Sequence, residues 1–217
     1  MAIYSDGVNL IAQPNFNRFI NLDSIEDRII NYLIKSDSLY ANRIWKILKY
    51  PTTDALLKEN LTQQEKSELV DNDAEFQTKK RVFRYPFVED AFTEQCSLIR
   101  FYVDSIIPID HLKSIVNVGI DLVTHNKINN LYNDSGDEIE FPDAYNPTEN
   151  EIVMKSRKTV LLKNILAELN GANIEGVGEL QFNREKSAFS QAKLGLFNNR
   201  DYTGYKLIMA CVQSGVS

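Results

Sequence analysis

Two histidines, His111 and His125, and two cysteines, Cys96 and Cys211, are the only imidazole and thiol groups in 217 residues. A nucleophile set of Cys96, His111 and Asp110 can be written from their types alone, with imidazole as base and carboxylate as its orienting group. No family-specific motif surrounds Cys96, however, and nothing in the sequence brings it to His111. Both cysteines sit inside apolar runs, which predicts small buried core residues and a reducing compartment. A histidine metal centre would need carboxylates to complete it, and no HExxH-type spacing is present. No catalytic residue, no metal ligand and no cofactor is therefore expected.

Three other constellations deserve a chemical test. Asp134, Asp137, Glu138, Glu140 and Asp143 form a dense acidic stretch. Against a calcium loop it fails, because Gly136 is not at the sixth position and no Glu closes a twelve-residue frame. Like-charge runs are usually exposed, so a solvated hairpin tip or a subunit-contact loop is expected there. Gly171, Gly176 and Gly178 follow a helix instead of a strand and precede no Lys-Ser/Thr pair, so they read as a turn and not a phosphate loop. The basic residues gather at Lys79, Lys80, Arg81 and Arg84, and again at Lys155, Arg157, Lys158 and Lys163. In a homo-oligomer the second group can meet the acidic stretch of a neighbouring copy. The candidate subunit contacts are thus Lys155, Arg157, Lys158 and Lys163 against Asp134, Asp137, Glu138 and Glu140.

The elements that would carry these residues follow from periodicity. Residues 1–75 read as a helical section. Ile25, Ile29 and Leu33, widened by Ile30 and Ile34, form a helical stripe with Asp23 or Ser24 as cap and Asp27 as its reciprocal partner. A second helix runs from Ala41 to Tyr50 and is stopped by Pro51. Thr62 and Glu65 make a capping box for a short polar helix ending near Val70. Residues 76–217 read as an α+β core. It opens with a short edge strand over 82–87, whose Pro86 suits an edge. A strand pair over 97–124 follows, placing Ile99, Phe101, Val103 and Ile107 on one face and Arg100 and Asp104 on the other. The partner strand alternates Val116, Val118, Ile120 and Leu122 against Asn117, Gly119, Asp121 and Val123. A long helix over 151–169, opened by Thr148 or Asn150 and closed by Asn170-Gly171, precedes C-terminal strands over 178–212. Further strand segments are expected at 176–182, 194–197 and 205–212, with a turn over 198–201. The fold class is α+β, an antiparallel sheet packed with helices.

Composition bounds the rest. Hydrophobic residues at 43% and charged residues at 25% are ordinary for globular chains. With 24 Lys+Arg against 30 Asp+Glu the net charge is −6, which argues against a protein that coats DNA, since phosphate affinity comes mainly from Lys and Arg. The longest apolar runs, such as 105–109, are far short of the roughly 20 residues of a membrane helix. The first residues carry no basic segment or long apolar segment, so no signal peptide is expected.

The chain resembles the neck proteins of tailed bacteriophages, the tail-terminator and head–tail joining families. The residues that carry the likeness are the N-terminal helix with Ile47-Leu48-Lys49-Tyr50-Pro51-Thr52-Thr53-Asp54-Ala55-Leu56, then Asn60-Leu61-Thr62-Gln63-Gln64-Glu65-Lys66, Phe83-Arg84-Tyr85-Pro86 and the strand pair 97–124. Gly176-Val177-Gly178-Glu179-Leu180-Gln181-Phe182 and Asp201-Tyr202-Thr203-Gly204-Tyr205-Lys206-Leu207 complete it. The resemblance implies a structural virion protein without enzymatic activity. It would assemble in the host cytoplasm as a homo-oligomeric ring between the portal and the tail tube. Its partners would be the portal or other neck rings and the tail tube proteins, with DNA passing unread and no membrane involved. A closed ring needs two different patches on each subunit. The competing readings are an intracellular enzyme built from dispersed carboxylates, Asp104, Asp110 and Asp121, and a monomeric binding module.

Overall fold

Alternation over long β-rich runs builds the centre of the molecule. In the computed structural model, which describes residues 24–72, 79–85, 94–110, 113–132, 154–187 and 201–214, strand β2 spans Ser97–Pro108, β3 Lys113–His125 and β9 Tyr202–Ser214. They pair antiparallel, with β3 in the middle. Strand β1 (Val82–Phe83) adds parallel to β2, and β8 (Gln181–Phe182) adds antiparallel to β9, giving the order β1-β2-β3-β9-β8. Two small two-stranded antiparallel sheets complete the strands: β4 (Asn130–Leu131) with β5 (Lys155–Ser156), and β6 (Asn173–Ile174) with β7 (Gly178–Glu179). The helices are α1 (Ile25–Lys35), α2 (Leu39–Lys49), α3 (Gln63–Glu68) and α4 (Arg157–Leu169). The fold is α+β, as the periodicity implies.

One face of the sheet, Ile99, Phe101, Val116, Val118, Ile120, Leu122, Leu207 and Met209, packs on the apolar stripes of α1, α2 and α4 in a single cluster. The helical section is therefore not a separate unit: Ile25, Ile29, Leu33, Ile44 and Ile47 belong to the same core as the strands. Removing such surface from water contributes roughly 25 cal/mol per Å². Polar ties add direction to it. The Trp45 indole donates to the Leu33 carbonyl at 2.9 Å, and Lys66, fully buried, donates to the Ser36 carbonyl just beyond the end of α1 at 2.9 Å. A cation at that end suits the helix dipole.

Several local expectations change. Thr62 and Glu65 do form the capping box of α3. Ser24 makes no side-chain cap on α1, and Asp27 pairs instead with Arg84 at 2.9 Å. The long helix starts at Arg157, because Lys155 and Ser156 are taken into a strand by Leu131 and Asn130; Thr148, Asn150 and 151–153 lie outside the described residues. The expected strand over 82–87 pairs only at Val82 and Phe83, and 86–87 lie outside the described residues. The 176–182 segment is split, since Gly176 and Gly178 have positive φ and turn the chain into the β6–β7 hairpin before β8 begins. Segments 194–197 and 198–200 also lie outside the described residues.

A bulge at Asp104 breaks the register between Val103 and Ser105. The extra residue shifts all later side chains to the other face. Ile106 thereby joins Val116, and Ile107 leaves the face of Ile99 and Phe101 to stand opposite Ile115, 42% exposed. Helix α1 answers the bulge: Glu26 accepts from the Val103 N–H at 3.0 Å, and burial pushes the Glu26 carboxyl upward.

Candidate functional site

The basic residues of α4 divide into two kinds. Arg157 is fully buried, and its guanidinium is spread over backbone carbonyls. Nε donates to Ile128 at 2.8 Å, one terminal nitrogen to Ile47 and Tyr50 at 3.0 and 2.8 Å, and the other to Thr52 at 2.6 Å. Burial lowers its pKa to about 10. This is a tie between α4, the end of α2 and the turn after β3, so the structure corrects the expectation that Arg157 faces a neighbouring copy. Lys158 is also turned towards the protein: its Nζ donates to Thr203 Oγ1 at 3.1 Å and lies 5.5 Å from the centre of the Tyr205 ring.

Lys155 and Lys163 differ. Lys155 is half-buried, Lys163 is exposed, and both line a cavity beside α4 together with Arg43 of α2. Ser156, Thr159, Val160 and Asn164 supply the rest of its described lining. Sequence reading missed Arg43, although its position carries a signal. It precedes Ile47 by one helical turn and so occupies the apolar stripe of α2, where it is only 2% exposed. A charge on a core-facing stripe asks for a reason. The opposing half of the expected contact, Asp134, Asp137, Glu138 and Glu140, lies outside the described residues.

The dispersed carboxylates are not brought together. Asp121 is 1% exposed and pairs with the equally buried Arg100 at 2.9 Å, while the Tyr102 hydroxyl donates to its other oxygen at 3.2 Å. Burial pushes the Asp121 carboxyl up, with Arg100 pulling against it. Asp104 binds Lys206 at 2.6 Å, and Asp110 Oδ1 accepts from the Lys113 N–H at 2.7 Å in the turn after β2. Arg100 and Asp121, which the alternation sets on the face opposite the main apolar stripe, do not reach solvent there: β3 is buried on both faces, so the alternation of polar with apolar residues marks an inner ion pair. Gly119 leaves room for this arrangement, since a Cβ there would meet the Tyr102 ring at 2.6 Å.

The remaining candidates also take structural roles. Cys96 and Cys211 are free and buried, and burial pushes the Cys96 thiol up to about 12. Cys96 sits with Phe83, Leu98 and Val123 in a small apolar cluster against Tyr202. His125 accepts from the Lys127 N–H at 3.1 Å and packs edge-on to Tyr202 at 5.0 Å; burial lowers its pKa. His111 lies outside the described residues. Arg81 binds Glu94 at 2.9 Å, so both described arginines of the first basic group are held within the chain. Among the described residues no group of three His, Cys, Asp or Glu is placed to hold a metal ion.

What the strands do offer is surface. Ile107, Ile115 and Val212 stand side by side across β2, β3 and β9, and Ile107 and Val212 are 42% and 55% exposed. Ile109, next beyond β2, is exposed as well. Tyr132 and Met154, which follow and precede the paired residues Leu131 and Lys155 of the separate β4–β5 sheet, are also exposed.

A sequence model of the YomW family matches residues 41–211, from the start of α2 to near the end of β9. No curated protein and no solved structure matches the chain.

Proposed function

The chain belongs to the YomW family, a phage-type family, and from that we propose that it is a structural protein of a tailed-phage particle. Its copies form a ring in the neck, between the portal and the tail tube, where the ring joins head to tail or ends the tail. The observation that carries this reading is two separate exposed apolar groups: Ile107 and Val212 beside the half-buried Ile115 on the five-stranded sheet, and Tyr132 and Met154 next to the β4–β5 pair. Exposed apolar residues gathered together mark contact surfaces. Two different surfaces on one subunit are what head-to-tail closure of a ring requires, whereas a two-fold dimer needs only one.

The chemistry supports the same reading. The buried acids and thiols that an enzyme would deploy are here paired across strands or packed in apolar clusters. A net charge of −6 lets DNA pass a ring without being gripped, because binding strength grows with the number of phosphates neutralised. Negative-stain imaging and native mass spectrometry, on the protein alone and with tail tubes or portal-bearing capsids, test the proposal. Closed rings, or density capping a tube or portal, are expected. A monomer that binds neither particle would overturn it.

A further inference from the structure

Where Ile115 pairs with Val212, the five-stranded sheet carries a cavity of about 310 Å³. Ile115, Ala210 and Val212 share one face of β3 and β9 by strand register and give the cavity an apolar floor. Gln181, opposite Ala210 on β8, and Glu179 on β7 supply its polar side chains. Gln181 Nε2 donates to Glu179 Oε1 at 3.3 Å. That bond turns the amide nitrogen towards the carboxylate, and leaves the Gln181 carbonyl oxygen and the second Glu179 oxygen as acceptors on two exposed residues. An apolar floor beside such acceptors fits an occupant with an apolar body and a hydrogen-bond donor at its tip. The volume stands at the lower end of the roughly 300–1,000 Å³ of ligand pockets. It admits one ring-bearing side chain and is too small for a helix.

The chain itself carries such a group. Of the exposed large apolar side chains among the described residues, Tyr85 and Tyr132 are the two that bear a donor. The Tyr85 hydroxyl already donates to Asp71 Oδ2 at 2.7 Å. Tyr132 is 47% exposed, so it does not fill the cavity of its own chain, and its hydroxyl has no acceptor among the described residues. Its backbone N–H donates to the Thr53 carbonyl at 2.9 Å, which fixes the residue beside the β4–β5 pair. From this match we infer that Tyr132 of one copy enters the Ile115–Ala210–Val212 cavity of the next, with its ring on the apolar floor and its hydroxyl donating to Glu179. A buried tyrosine ring needs a partner for its hydroxyl, and here the carboxylate is that partner. Aromatic anchors seated in pockets dominate the energy of many interfaces. Cavity and tyrosine are different patches of one chain, so the contact is head-to-tail and repeats from copy to copy until the ring closes. The inference rests on the ring reading and gives it contact residues.

The test compares variants of the full chain in whichever form the unaltered chain assembles, free rings or rings on tubes or portals, by native mass spectrometry and negative-stain imaging. Tyr132→Ala removes the inserted ring and Ala210→Phe fills the cavity. Each alone should raise the concentration for half-assembly roughly thirtyfold or more, the effect of losing an interface anchor. Mixed one to one, the two should give dimers that grow no further, because the intact Tyr132 of one variant meets the intact cavity of the other. Assembly of Tyr132→Ala equal to that of the unaltered chain, or a mixture of two folded variants without dimers, would overturn the contact and leave the ring standing. An unaltered chain that assembles neither alone nor on particles would overturn both. Circular dichroism checks the fold of each variant. If Ala210→Phe unfolds, the hydroxyl decides: Tyr132→Phe and Glu179→Ala should each weaken assembly about tenfold, and the double variant no more than either, since both remove one bond. Additive losses would overturn the contact.

Discussion

Four carbonyls, of Ile47, Tyr50, Ile128 and Thr52, converge on Arg157 from segments far apart in sequence. Arg157→Met keeps the aliphatic volume but leaves those acceptors without their donor inside the protein. Removing the charged partner of buried hydrogen-bonding groups costs about 3–5 kcal/mol. At roughly 2–4 °C per kcal/mol for a chain of this size, thermal denaturation should show a melting point lower by about 10 °C. A drop of only a degree or two would mean that the carbonyls find other donors. The pH response is also set by single residues. Burial holds the Cys96 thiol at about 12 instead of 9.0, and the Tyr102 and Tyr202 hydroxyls at about 12 instead of 10.0. Because the folded values are raised, the unfolded chain loses these protons first. Their stabilising contribution is thus complete below pH ~9 and is lost as the pH climbs through about 12. Denaturant unfolding should show stability falling across that window, with two tyrosines ionising late by absorbance. In the sequence, Arg157 was indistinguishable from Lys155 and Lys163, because a cation near a helix start reads the same whether it meets water or carbonyls. The buried role of Cys96, by contrast, was legible from its apolar neighbours.

At the scale of elements, the three long strands were readable because alternation persists over many residues, from Ile99 to Phe101 and from Val116 to Leu122. The Asp104 bulge was not, since an added residue in a strand leaves no mark on composition and shows only as a change of face. The start of α4 was misplaced for a related reason. Lys155 and Ser156 have no strand character of their own and are held extended by pairing with Leu131 and Asn130. The β3–β9 pair contains the tightest approach. A Cβ built on Gly204 would lie 1.9 Å from the Leu122 carbonyl oxygen, an atom of the backbone that cannot rotate away. Gly204→Ala must therefore force β9 from β3, costing about 3 kcal/mol or more by analogy with other strongly destabilising strain. Gly171→Ala meets nothing within 4 Å and is strained only through its positive φ, so it should cost about 1 kcal/mol. Urea denaturation midpoints of the two variants should separate in that order; equal midpoints would show that the strands accommodate the methyl group.

Among the exposed apolar groups of the described residues, Ile107 and Val212 stand together on the five-stranded sheet and Tyr132 and Met154 stand next to the separate β4–β5 pair. That arrangement could not be read from the chain, because Ile107, Ile115 and Val212 come together only through strand register. The resemblance to neck proteins rests on segments spread along the sequence, and the YomW match over 41–211 supports its phage association. Converting Ile107 and Val212 to Asp should abolish assembly while the monomer keeps its fold, since surface substitutions usually change stability by no more than about 0.5 kcal/mol. Size-exclusion chromatography and circular dichroism of the double variant separate the two effects; intact rings would move the interface elsewhere. The proposed neck role is tested most directly by electron microscopy of phage particles produced in cells depleted of this chain. The account predicts DNA-filled heads and unattached or overlong tails, restored to joined particles when the chain is supplied. Complete, correctly joined particles made without it would contradict the proposed role.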